Sequence, residues 1–336
     1  MKKYLLFNNN NICSSPRYTS TVEGTLTTFG FWRSTDYINI EGCYGFWYEL
    51  AGHSNVNSVS FFDTSKKFIS GIGTTSTCAY ATIRQGFVKV PDNAVYARFT
   101  HFEGSINLDT SQIAIKAEDT CVIGYLTEEA YESAHKEWKN DGLKIACIGD
   151  SLTEGDYGGA DGHANRQLKN YPYFLAKELG CETINYGKCG YNTQNALDLY
   201  NSGKIIIDDS DVIIIMLGTN RGLAADPYRS SYIQLIDKIL ADKKQGAILV
   251  LVTPPVALKS SYVSYVFTAN SYIMGEIKAN YGNRTDVEII DAYTNSPIQA
   301  TTASQYMSVD QLHLSENGYR AFAKYMAKEI ENILKF

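Results

Sequence analysis

Two patterns of apolar and polar positions divide the chain. Across residues 25–116 the apolar residues come in short runs at 45–50, 58–62, 67–70, 86–90, 95–99 and 112–116, separated by turn-forming residues. The runs on either side of Asp63-Thr64-Ser65-Lys66, and the turn at Pro91-Asp92-Asn93, predict antiparallel strands. The fold expected of this half is all-β, a sandwich or jelly roll.

Residues 127–140 are polar and helix-forming, begin at the capping residue Thr127 and stop before Gly142, which predicts a connecting helix. A regular alternation follows. Short apolar runs at 144–149, 182–186, 211–217, 247–253 and 287–291 are separated by helix-length segments at 171–179, 193–200, 228–243 and 264–281, with a last helix at 315–334. Such runs predict parallel strands covered on both faces. Right-handed crossovers between them build a doubly wound α/β sheet, whose ligands sit beyond the carboxyl ends of the strands. The expected organisation is an extension at 1–24, a β-domain at 25–120, a connecting helix at 121–142 and an α/β domain at 143–336, reasonable for 336 residues at roughly 100–200 per domain.

Composition narrows the partners. With 44% hydrophobic and 20% charged residues the chain is neither disordered nor fibrous. A net charge of -6 argues against nucleic acid or anionic lipid as partner. No apolar run approaches the roughly 20 residues that cross a bilayer, so no membrane insertion is expected. The opening Met-Lys-Lys is followed only by an apolar stretch at 4–7, short of a signal-peptide core, so conventional secretion is not expected. Seven cysteines without a C-x-x-C pair favour free thiols over a disulfide frame or zinc site, although the count leaves room for one disulfide.

The chemistry gathers at the strand ends of the second half. The first α/β strand leads into Gly149-Asp150-Ser151-Leu152-Thr153-Glu154-Gly155, the second into Gly187-Lys188-Cys189-Gly190, and the third into Gly218-Thr219-Asn220; Asp310-Gln311-Leu312-His313 precedes the last helix. A serine nucleophile needs a base, and the base needs a partner that fixes its tautomer. Ser151, His313 and Asp310 supply that set. The backbone N–H groups of Ser151 and Gly190 and the amide of Asn220 are candidate oxyanion donors.

These four blocks, in this order, resemble those of the SGNH (GDSL) hydrolase superfamily, whose four letters match Ser151, Gly190, Asn220 and His313. The resemblance covers roughly residues 144–336, including Tyr171-Pro172-Tyr173-Phe174, and leaves the first 140 unexplained. It implies a flavodoxin-like three-layer α/β/α sandwich and cofactor-free, metal-independent ester or thioester hydrolysis, on substrates from lipids to O-acetylated sugars. Two features depart from the pattern. Arg221 follows Asn220 where many relatives carry Asp, and a Gly-rich stretch at 155–166 lengthens the loop after the nucleophile. In that loop His163 and Arg166, together with Arg221, are candidate substrate contacts.

Several residues have simpler readings. Asn220 could merely cap a turn, and Asp310 could cap the last helix. His53, His101 and His135 read as surface or packing residues, and no metal-ligand spacing is present. Trp32, Trp47, Tyr44 and Tyr48 could stack on sugar rings, but large aromatics more often fill a core. The expected function is a serine O-acetylesterase acting on an ester small molecule or O-acetylated polysaccharide. The alternatives are a lipase or thioesterase, or a glycan-binding phage-tail or adhesin-like protein with a vestigial hydrolase half. Oligomeric state and compartment are not legible in the sequence.

Overall fold

The structure, a computed structural model, describes residues 3–7, 18–19, 26–27, 32–52, 57–73, 82–102, 104–108, 111–115, 121–126, 128–135, 140, 142–158 and 169–335. They fall into two compact units, residues 1–141 with 180–182, and residues 142–179 with 183–336.

The first unit contains two larger antiparallel sheets. One runs in the order Lys3–Phe7, Cys121–Tyr125, Gly45–Gly52, Thr82–Lys89; the other in the order Trp32–Ser34, Tyr96–Phe102, Asn57–Phe62, Phe68–Gly73. Phe46, Leu50 and Val122 from the first sheet and Val59, Phe61, Ala97 and Phe99 from the second form one buried cluster. Phe46 stacks on Phe61 at 5.5 Å between ring centroids and meets Phe99 edge-on at 5.4 Å. Tyr48 belongs to this core, while Tyr44 and Trp47 pack against a second cluster around Tyr131. His135 lies against Phe87 and Tyr131. The side chains of Trp32, His53 and His101 lie outside the described residues.

Two expectations need correction here. Lys3–Phe7, placed in an extension, is a strand paired antiparallel with Cys121–Tyr125. Cys121–Tyr125, assigned to the connecting segment, lies in register against Gly45–Glu49. Within the helix expected at 127–140, Glu128–His135 is helical, and residues 127 and 136–139 lie outside the described residues. Both corrections share a cause: a strand whose partner lies so far away in sequence carries no local signal of pairing.

In the second unit five parallel strands, Lys144–Gly149, Glu182–Gly187, Val212–Met216, Ile248–Val252 and Val287–Ile290, stand in the order 2-1-3-4-5. Val212–Met216 is buried throughout, as a central strand sandwiched between helices requires. Tyr171–Leu179 packs on the last helix, Glu316–Leu334, and Thr193–Asn201 on Tyr228–Asp242. Ser315 caps the last helix by accepting the Gly318 N–H at 3.2 Å, and the helix buries Tyr319, Phe322, Ala323, Met326 and Ile330 at helical spacing. The helix expected at 264–281 starts earlier, at Ser260, and passes through a π-turn at Ile273–Ile277. Gly149 lies opposite Met216, and Met216 opposite Val252, so the segments that follow these strands emerge level at one edge.

Candidate active site

At that edge the chain turns from Gly149 directly into a four-residue helix, Ser151–Glu154. The Asp150 carboxylate caps it by accepting the Leu152 N–H at 3.0 Å. Asp150 is wholly buried, and loss of solvent pushes its carboxyl up to about 6 against the lowering effect of its hydrogen bonds. Ser151 is therefore a first-turn residue, 3% exposed, with its hydroxyl at the strand end.

His313 approaches on a turn that Asp310 builds. Asp310 Oδ1 accepts the N–H groups of Leu312 at 3.1 Å and His313 at 3.0 Å, while Oδ2 lies 2.6 Å from His313 Nδ1. One carboxylate thus closes the turn and holds the ring. It does not cap the last helix, which uses Ser315. His313 Nε2 stands 2.8 Å from Ser151 Oγ. Burial of Asp310 opposes its ionisation, but the His313 hydrogen bonds and charge outweigh burial and hold the carboxyl well below its usual range. Burial alone would lower the pKa of His313. The Asp310 hydrogen bond and the charges of Asp156, Asp310 and Asp150 win, and raise it above 6.5.

A hydroxyl within hydrogen-bond reach of an imidazole whose second nitrogen is held by a carboxylate is the arrangement that activates serine for attack on a carbonyl. The loops beside it supply polar donors. Gly190, at φ +75°, takes a left-handed conformation that most side chains disfavour. Asn220 Nδ2 donates to Tyr191 O at 3.0 Å, which ties the third strand's loop to the second's and leaves its other amide hydrogen for another acceptor. Gly190, Asn192, Asn220, Arg221, Tyr262 and Tyr265, with Ser261, line a cavity of about 480 Å³. Tyr262 packs against the cluster that contains Leu312, the neighbour of His313.

Three contributors escaped the sequence. Glu154, 6% exposed, accepts the Cys189 N–H at 2.6 Å and so fixes the residue before Gly190. Asp156, 2% exposed, places Oδ2 at 3.7 Å from His313 Nε2, its Oδ1 accepting the Gly158 N–H at 2.8 Å and its Oδ2 the Cys189 thiol at 3.6 Å. Gly158 passes so close to Asp310 that a Cβ there would stand 2.5 Å from Asp310 Cγ. Their signal lay in the motif itself, in the acidic and glycine residues after Ser151, but which backbone they meet depends on loops distant in sequence. Arg221 lines the cavity; His163 and Arg166 lie outside the described residues. Among the described residues no three histidine, cysteine, aspartate or glutamate side chains gather as metal ligands, and no helix is long and apolar enough to cross a membrane. Cys43, Cys147, Cys181 and Cys189 are free thiols.

No curated protein matches the chain. The chain is similar over part of its length to several solved structures at low identity. These include an aryl esterase of M. smegmatis (20% identical, covering 57% of this chain and 99% of that one, TM-score 0.45). A lipase/acylhydrolase from Enterococcus faecalis is 20% identical over 56% and 96%, TM-score 0.45. A carbohydrate acetylesterase family member from Sinorhizobium meliloti is 18% identical over 58% and 100%, TM-score 0.46. The model of the GDSL-like Lipase/Acylhydrolase family matches residues 147–321, more than half of the chain, and runs from the strand before Ser151 through the Asp310 to His313 turn. The chain belongs to that family and is a hydrolase of ester bonds.

Proposed function

We propose that the chain cleaves esters through an acyl-enzyme on Ser151, and that it acts as an O-acetylesterase on acetylated carbohydrate. The observation that carries the first part is the hydrogen-bonded series Ser151 Oγ, His313 Nε2, His313 Nδ1, Asp310 Oδ2 at 2.8 and 2.6 Å. His313 takes the hydroxyl proton as Oγ attacks the carbonyl carbon, and Asp310 stabilises the imidazolium that forms. The tetrahedral oxyanion is received by the N–H groups of Ser151 and Gly190 and by the free amide hydrogen of Asn220. The intermediate collapses, His313 returns its proton to the leaving alcohol, and the acyl group stays on Ser151. A water deprotonated by the same imidazole then releases the acid.

Two features support a short acyl group and a sugar alcohol. Among the described residues the cavity is lined by amides, hydroxyls, a guanidinium and phenol rings, with no aliphatic side chain to receive a fatty chain. The sheets of the first unit, with the core of Phe46, Phe61 and Phe99, fit a β-sandwich over residues 25–120, completed by the strands Lys3–Phe7 and Cys121–Tyr125. We assign to it the holding of the glycan. Hydrolysis of p-nitrophenyl esters from acetate to decanoate is expected to fall with chain length. Rising rates would favour a lipase or thioesterase, and p-nitrophenyl acetate hydrolysis undiminished in Ser151→Ala would remove Ser151 as nucleophile.

A further inference from the structure

Arg221 is chemically out of place. Arg98, Arg229, Arg284 and Arg320 each lie within 4 Å of a carboxylate, with N···O distances of 3.8, 3.2, 2.9 and 2.7 Å. Arg221 lines the cavity beside Asn220 and, among the described residues, has no hydrogen-bond or ion-pair partner. It also sits at φ +70°, followed by Gly222 at φ +61°, a left-handed turn that is uncommon for a residue with a Cβ. Among the described residues that line the cavity, none is acidic. A second cation stands at its edge, with Lys259 Nζ 5.5 Å from the centre of the Tyr262 ring. Asp150, Asp156 and Asp310 act on His313, and the charges of Asp150 and Asp310 reach Tyr262 in the cavity wall as well. An anionic substrate would be repelled by these carboxylates and attracted at Arg221.

We infer that this cavity is a recognition site for a carboxylate carried by the ester substrate, with Arg221 as its counter-ion. The reading rests on the esterase chemistry of Ser151 but does not require the substrate to be a sugar. A guanidinium binds a carboxylate in a planar, two-pronged fashion, which an ammonium cannot reproduce. The Tyr262 and Tyr265 rings flank the same space and can cover the apolar body of such a ligand. The carboxylate can belong to the alcohol, as in a uronic acid, or to the acyl group, as in a succinyl ester.

Two matched pairs separate these sources. O-acetylated galacturonate against O-acetylated galactose tests the alcohol side, and p-nitrophenyl hemisuccinate against p-nitrophenyl butyrate tests the acyl side. At low ionic strength one pair is expected to favour its anionic member about tenfold or more in kcat/KM. Arg221→Gln should bring that ratio to near one, and Arg221→Lys should leave it in between. A ratio near one for both pairs in the unmodified protein, or a ratio that Arg221→Gln does not change, overturns the inference. Failure of the esterase reading is separable: none of the four esters would be cleaved. Calorimetric titration with sodium galacturonate and sodium succinate then decides, since binding lost in Arg221→Gln supports the site and no binding rejects it.

Discussion

The two units bury polar groups differently. In the first, the deeply buried polar residues are mainly hydroxyls and amides within strands, such as Ser34, Thr35, Ser58, Ser60, Gln85 and Thr100. Its buried guanidinium, Arg98, is held by Thr35 O at 2.9 Å and lies near Asp36. In the second unit three carboxylates, Asp150, Glu154 and Asp156, are buried within seven residues of sequence and beside one serine. Burying a charge is costly unless it is paired or hydrogen-bonded, so such a concentration reduces stability and points to a functional role. The first unit spends its burial on packing, whereas the second places charge around one imidazole. Changes in the two should therefore fail in different ways.

The largest effect is expected where the charge cluster does chemistry. His313→Ala should lower kcat for p-nitrophenyl acetate by about 10⁴-fold or more with little change in thermal midpoint, in line with the loss of one member of a serine triad. A loss below about tenfold would show that the imidazole is not the base. Next, and opposite in kind, Phe99→Ala should destabilise the first unit by about 3–5 kcal/mol in denaturant unfolding, because it empties a fully buried ring site between the two sheets. Asn220→Ala should lower kcat about 10²–10³-fold with KM little affected, the pattern of a lost oxyanion donor. An effect on KM alone would leave Asn220 as a structural tie to Tyr191.

Asp150→Asn probes what the cluster costs. The folded carboxyl titrates at about 6, above its ordinary 3.8, so the stability linked to its neutral form is present below 3.8 and is lost as pH rises through 6. Asparagine keeps the cap without the charge, and at pH 8 it should add on the order of 3 kcal/mol of stability, a gain that disappears near pH 4. Equal thermal midpoints for the two proteins at pH 8 would contradict a costly buried carboxylate. The smallest effect concerns Asp156. The raised pKa of His313 keeps the imidazole protonated above 6.5, so the acid limb of kcat/KM should lie above that pH. Asp156→Asn removes one of the charges that raise it and should move the limb to lower pH by a few tenths to about one unit. A limb that stays in place, or moves to higher pH, would show that Asp156 does not act on the base.

The same contrast explains what the sequence disclosed. The parallel strands were legible because each is an apolar run bounded by its own turn, and Lys144–Gly149 begins and ends where the pattern predicts. The approach of Asp310 to His313 was legible because they stand three positions apart on one turn. Lys3–Phe7 was not, since five residues of mixed character become a strand only through Cys121–Tyr125. Tyr262 was missed as a wall of the cavity because its helix begins after Lys259 without a side-chain cap, the signal that would have marked its start. Glu154, Asp156 and Gly158 were in plain view, but their roles depend on Cys189, His313 and Asp310, each brought to them by the fold.

The central claim is that Ser151 is made nucleophilic by His313. Treating the folded protein with a fluorophosphonate and locating the adduct by peptide mass spectrometry tests it directly. The account predicts one phosphonyl adduct on Ser151, formed rapidly in the unmodified protein and nearly absent in His313→Ala; an unlabelled Ser151, or equal labelling in both proteins, would contradict it.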